Sequence, residues 1–122
     1  MNWFHWLANP ARFMRLAARL QPWIMALGLL TGAAGLYFAL FASPADYQQG
    51  ETVRIMYVHV PAAWMAMFIY VVMAAAAASF LIWKHPLADV AAQAAAPIGA
   101  GFTLMALVTG ALWGQPMWGT WW

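Results

Sequence analysis

The chain has 122 residues, a length that suits one domain at most. Hydrophobic residues make up 66% of it and charged residues only 7%, against about a quarter charged in an ordinary globular domain, so a water-soluble surface is excluded and the solvent must be lipid. The formal net charge of +2 rests on five basic residues, too few to neutralise a phosphate backbone, so no nucleic-acid partner is expected.

The pattern predicts an all-α polytopic membrane protein, in which three transmembrane helices follow an interfacial amphipathic helix. In residues 1–21, Arg12, Arg15 and Arg19 form one stripe at helical spacing, with Phe13, Leu16 and Leu20 beside it. Trp3, Phe4 and Trp6 precede Pro10 at a depth suited to lipid headgroups. Such a segment lies on the membrane surface as an anchor, and docking of a partner is the alternative reading. Residues 22–42 contain no ionisable group but Tyr37 and form span one. At about 1.5 Å per residue they reach roughly 30 Å, the thickness of a bilayer core. This run is too long for the apolar part of a cleavable signal peptide.

Residues 43–60 form an external loop, and residues 61–83 form span two, with Pro61 suited to a first helical turn. A short turn, 84–90, leads to span three at 91–113, which Pro97 should kink near one end. The external end, 114–122, is rich in tryptophan. Arg12, Arg15, Arg19 and Lys84 then share one side, which the positive-inside rule makes cytoplasmic, with the N-terminus. The other side receives Arg54, His59 and the tryptophan-rich end. Gly28, Gly32 and Gly35, and later Gly110 and Gly114, have the spacing of close helix packing.

Few residues could carry chemistry. Cysteine is absent, which excludes disulfides and thiolate metal sites. No Ser/His/Asp arrangement, paired carboxylates or glycine-rich phosphate loop is found, so the chain is not expected to be an enzyme. His5 and His85 read as solvated or headgroup-facing residues. His59, in "RIMYVHVPAAW", stands at a membrane boundary, where it is either a polar cap or an axial ligand to iron. Asp46 and Glu51 lie too far along the chain to complete a carboxylate metal cluster with it.

The ending "WGQPMWGTWW" holds four of the nine tryptophans. Gly114, Gln115 and Pro116 should break the third helix, leaving an irregular aromatic platform. Flat rings on a bent backbone suit a large, flat, apolar ligand, and indole N–H groups can bond carboxylates at its rim. Arg54, the sole external cation, could pair with a carboxylate of such a ligand or with a lipid phosphate.

"WGQPMWGTWW" resembles the first part of the tryptophan-rich signature of the cytochrome c assembly (WWD) family. "MYVHVPAAWMA" is similar to the stretch around an external histidine in the haem-delivery branch, branch C, of bacterial cytochrome c maturation. The resemblance covers essentially all 122 residues. It implies the N-terminal half of a six-helix bundle in the bacterial inner membrane, facing the periplasm. It implies haem (heme b) on a platform of Trp113, Trp118, Trp121 and Trp122, with His59 as axial ligand to the iron; a haem propionate would then be the carboxylate open to Arg54, with a lipid phosphate as the alternative. It further implies transfer of the haem to a membrane-tethered haem chaperone. Partners would be ABC-transporter subunits and a small single-span subunit.

The family pattern continues beyond Trp122 with a further tryptophan and an aspartate–arginine ending, and its second axial histidine belongs to a later half. A truncated product, a fragment or half of a split protein is therefore expected. The alternatives are a structural or transporter subunit that binds no haem. The latter lacks intramembrane ionisable residues of the kind that mark a solute pathway.

Overall fold

The computed structural model describes residues 9–121, which are helical apart from short connections and contain no β-strand. The chain divides into two units, Met1–Phe38 and Ala39–Trp122.

In the first unit, helix α1 spans Pro10–Tyr37. Asn9 caps it: the side-chain oxygen accepts from the amides of Ala11 (3.1 Å) and Arg12 (3.2 Å), and Pro10 occupies the first turn, where its missing N–H has no cost. A boundary between a surface helix and span one was expected at residue 22, yet the helix runs through Pro22 without interruption. An interior proline costs about 3 kcal/mol. Ending the helix there would expose several backbone groups to an apolar solvent, each at a cost of several kcal/mol. Continuity is the cheaper outcome. No residue of α1 is buried, and an added Cβ at Gly28, Gly32 or Gly35 would meet nothing within 4 Å. The close packing expected of these glycines is not made by the described residues.

Residues Phe38–Ala42 wind as a π-helix. The connection after it is folded around Asp46. Its carboxylate accepts from the amides of Gln48 (2.9 Å) and Gln49 (2.8 Å), and its backbone exchanges two hydrogen bonds with Gly50, at 3.1 and 2.8 Å. Asp46 is thus occupied by its own turn.

Helix α2 spans Val53–Trp83 and helix α3 spans Pro86–Trp118; the two pack against each other as an antiparallel hairpin closed by Lys84 and His85. The seam is small-to-large. Gly99 of α3 receives Ile69 of α2, whose Cγ2 would lie 3.0 Å from an added Cβ, and Gly110 receives His59. Ala62 (2% exposed) and Ile69 (7%) lie along this seam, whereas most large apolar side chains face outward. That distribution is inverted relative to a soluble domain and matches a lipid solvent.

Two expected boundaries move. Helix α2 begins at Val53, so Pro61 lies in its interior and His59 is helical. The segment preceding Pro61 carries several β-branched residues, and Thr52 gives no side-chain cap bond. Packing on α3, not local propensity, makes it helical. Helix α3 begins at Pro86 and carries on through Gly114, Gln115 and Pro116 to Trp118, where a break had been expected. Pro116 removes one hydrogen bond, and the helix ends only where Gly119 turns left-handed at φ +76°, its amide bonding the Gln115 carbonyl at 2.9 Å.

The three apolar helical stretches run for 33, 31 and 33 residues. At 1.5 Å per residue they measure roughly 46–50 Å, more than the ~30 Å of a hydrocarbon core, so each has ends that reach the interface.

Candidate functional site

The site lies at the end of the α2–α3 hairpin away from the Lys84–His85 turn. His59 sits on the face of α2 that meets α3. Space for its ring exists because residue 110 has no side chain: an added Cβ would lie 3.0 Å from Cε1 and 3.4 Å from Nδ1. Nδ1 is 3.0 Å from the Ala106 carbonyl oxygen and 3.1 Å from the Thr109 hydroxyl. Nε2 has no hydrogen-bond partner among the described residues.

The aromatic part is built by the end of α3. Trp113 and Trp118 meet edge to face, with ring centroids 4.8 Å apart and planes at 84°. This is the geometry that ring quadrupoles favour. The Trp113 indole N–H donates to the Gln49 side-chain oxygen at 2.9 Å, and the Thr52 hydroxyl lies 3.6 Å from the Met117 sulfur. The connection before α2 is thereby tied to the end of α3. After Gly119 the chain turns back over Gly114, where an added Cβ would stand 3.2 Å from the Thr120 carbonyl oxygen. That return brings Trp121 to the same place as Trp113 and Trp118.

These elements enclose an open cleft of about 330 Å³, lined by His59, Met56, Gly110, Trp113, Trp118 and Trp121. The size falls in the range of small-molecule sites. Its walls are almost wholly apolar and aromatic, and Trp118 remains 69% exposed. Trp122 and His5, also singled out in the sequence, lie outside the described residues. Among those described, no three His, Cys, Asp or Glu side chains gather to hold a metal ion.

Arg54 is not part of the cleft lining. Its guanidinium donates to the carbonyls of Leu40 and Ser43, the latter at 3.2 Å, and pairs with Glu51 at 2.6 Å. It covers backbone carbonyls left at the end of the π-helix. Arg54→Ala should therefore lower the stability of the chain by about 1–3 kcal/mol, read as thermal unfolding in detergent. A variant of unchanged stability that binds a carboxylate-bearing ligand more weakly would instead favour the propionate role.

Met56, Gln49, Thr109 and Gly110 escaped the sequence reading of the site. Met56 stands one helical turn before His59, a relation visible only once residues 53–60 are known to be helical. Gly110 was noticed for helix packing; its neighbour is an imidazole.

Fold and site together define a multi-pass α-helical membrane protein with one histidine set in an aromatic cleft at an end of a helical hairpin. The family model for CcmC, heme exporter protein C, matches residues 3–122, and the chain belongs to that family. It is 60% identical over 116 residues to heme exporter protein C of Bradyrhizobium diazoefficiens, covering 95% of this chain and 44% of that protein. Identity to heme exporter protein C of Rhodobacter capsulatus is 51% over 115 residues, 94% of this chain and 48% of that one. For heme exporter protein C of Escherichia coli K12 it is 48% over 118 residues, 97% and 48%. The chain spans about half the length of the curated relatives it matches.

Proposed function

We propose that this chain contributes the tryptophan-rich half of a haem-delivery protein of cytochrome c biogenesis. Haem is its cargo: His59 supplies an axial nitrogen to the iron, while Trp113, Trp118 and Trp121, together with Trp122, hold the macrocycle by stacking and edge contact. The observation that carries this reading is the pairing of an unpartnered imidazole nitrogen with three indoles around one apolar cleft. Neutral imidazole is a common haem-iron ligand. The histidine and the tryptophans lie some fifty to sixty residues apart in sequence, so their convergence is not a by-product of local structure.

The cleft belongs on the external, periplasmic face of a bacterial inner membrane. Arg12, Arg15, Arg19 and Lys84 mark the opposite, cytoplasmic side by the positive-inside rule, and the cleft lies at the end of the hairpin remote from Lys84. From there haem would pass by ligand exchange to a histidine of a membrane-tethered chaperone. ABC-transporter subunits and a small single-span subunit complete the system, and the chain itself performs no bond-making catalysis on a substrate.

The test is an absorption spectrum of the detergent-purified chain loaded with haem, beside His59→Ala. A Soret band that shifts and weakens in the variant is expected. Identical spectra would sink the ligand role of His59.

A further inference from the structure

The hydrogen bonds on the His59 ring determine which of its nitrogens is available. A carbonyl oxygen has no proton to give, so across the 3.0 Å to the Ala106 oxygen the Nδ1 atom must be the donor. The Thr109 hydroxyl is consistent with this. Its own proton goes to the Met105 carbonyl at 2.6 Å, which leaves an Oγ1 lone pair for Nδ1 at 3.1 Å. A neutral imidazole carries one N–H, so its basic lone pair is on Nε2.

The backbone makes this possible at one position. In a regular helix the Ala106 carbonyl already accepts the amide of residue 110, and only its second lone pair is left. A side chain at 110 would stand between that lone pair and the ring, because its Cβ would be 3.0 Å from Cε1. Glycine there opens the carbonyl to His59.

We infer that Thr109 and the Ala106 carbonyl are positioning groups that lock His59 as its Nδ1–H tautomer and present Nε2 as the one basic nitrogen of the cleft. The inference rests on the haem-ligand reading for its consequence but not for its geometry. A donating Nδ1–H fixes the ring plane and the direction of the Nε2 lone pair, as outer partners do for histidines bound to metals. Were haem iron held at Nε2, the Thr109 contact would strengthen electron donation from the ring and so favour the ferric form.

The first test needs no haem. In the chain labelled with 15N-histidine and held at alkaline pH, the resonances lost in His59→Ala should show Nδ1 as the protonated nitrogen and Nε2 as the unprotonated one. The reverse assignment, or an average of both tautomers, overturns the inference. The second test uses added haem. Thr109→Val should bind it about tenfold more weakly and with a higher midpoint potential, because the Ala106 carbonyl alone remains. Thr109→Ser, which keeps the hydroxyl, should match the parent chain in both. A Thr109→Val chain with unchanged affinity and potential removes Thr109 from the role. A chain that shows the Nδ1–H tautomer yet takes up no haem upholds the tautomer lock and overturns the haem reading alone.

Discussion

Replacing Gly110 by valine is expected to weaken haem binding by roughly 100-fold, the upper end of what the loss of a metal ligand's support costs. The cause is steric and local. An added Cβ already falls 3.0 Å from Cε1 and 3.4 Å from Nδ1 of His59, and valine adds two methyl groups beyond it. The ring must then rotate, which breaks its bonds to the Ala106 carbonyl and Thr109, or the two helices must separate along a seam that also holds Ala62 and Ile69. Helix propensity points the other way, since glycine inside a helix is about 1 kcal/mol worse than alanine. Gly110→Ala therefore separates the two effects. Its haem affinity, measured by titration in detergent, should already be lower, while the helix-propensity gain of about 1 kcal/mol offsets part of the stability lost to the 3.0 Å contact with Cε1. If affinity stays level through both substitutions, His59 does not hold the iron from its observed position.

Gly114→Val should have the second largest effect, at about tenfold in haem affinity with a stability loss of about 1–3 kcal/mol from overpacking. Here the obstacle is backbone. A Cβ at residue 114 would stand 3.2 Å from the Thr120 carbonyl oxygen and 3.7 Å from that of Trp121, so the returning chain would have to lift. Trp121 would leave the cleft with it. An aromatic contact is worth about 0.5–1.5 kcal/mol beyond its buried area, and 1.4 kcal/mol is a factor of ten in affinity. Trp121→Ala supplies the control, because it removes the ring without moving the turn. Equal losses in the two variants would show that Gly114 acts by seating Trp121. Parent-like affinity in Gly114→Val would show that the return turn is not needed.

Much of this molecule could be read before its structure. Composition alone decided the solvent, because eight charged side chains cannot face water over the surface of such a chain. The long uncharged runs gave three helices, since only a helix satisfies its own backbone in lipid. Their tryptophan-rich ending and the histidine motif pointed to the family to which the chain belongs. Proline and glycine rules that hold in water do not set the helix ends of this chain. Pro22, Pro61 and Pro116 all lie inside helices. Each loses one hydrogen bond, while ending the helix in lipid would strand several.

The site divides along the same line. His59 and the tryptophans stood out in the sequence by residue type and by the family resemblance, and the structure brings His59, Trp113, Trp118 and Trp121 to one cleft. How they meet was not legible there. The register of α2 on α3 sets Gly110 against His59, and the turn at Gly119 carries Trp121 back over Gly114. Both depend on the absence of a side chain at one particular place in three dimensions, and periodicity along the chain contains no record of what faces a glycine. Arg54 shows the converse case. Its charge was plain in the sequence, but only the tertiary structure reveals that the carbonyls of Leu40 and Ser43 and the carboxylate of Glu51 occupy it. Sequence determined the solvent, the helices and the kinds of group at the site. Packing decided which of those groups face one another, because a helix fixes neighbours three and four residues apart while contacts between helices depend on a register that no single segment encodes.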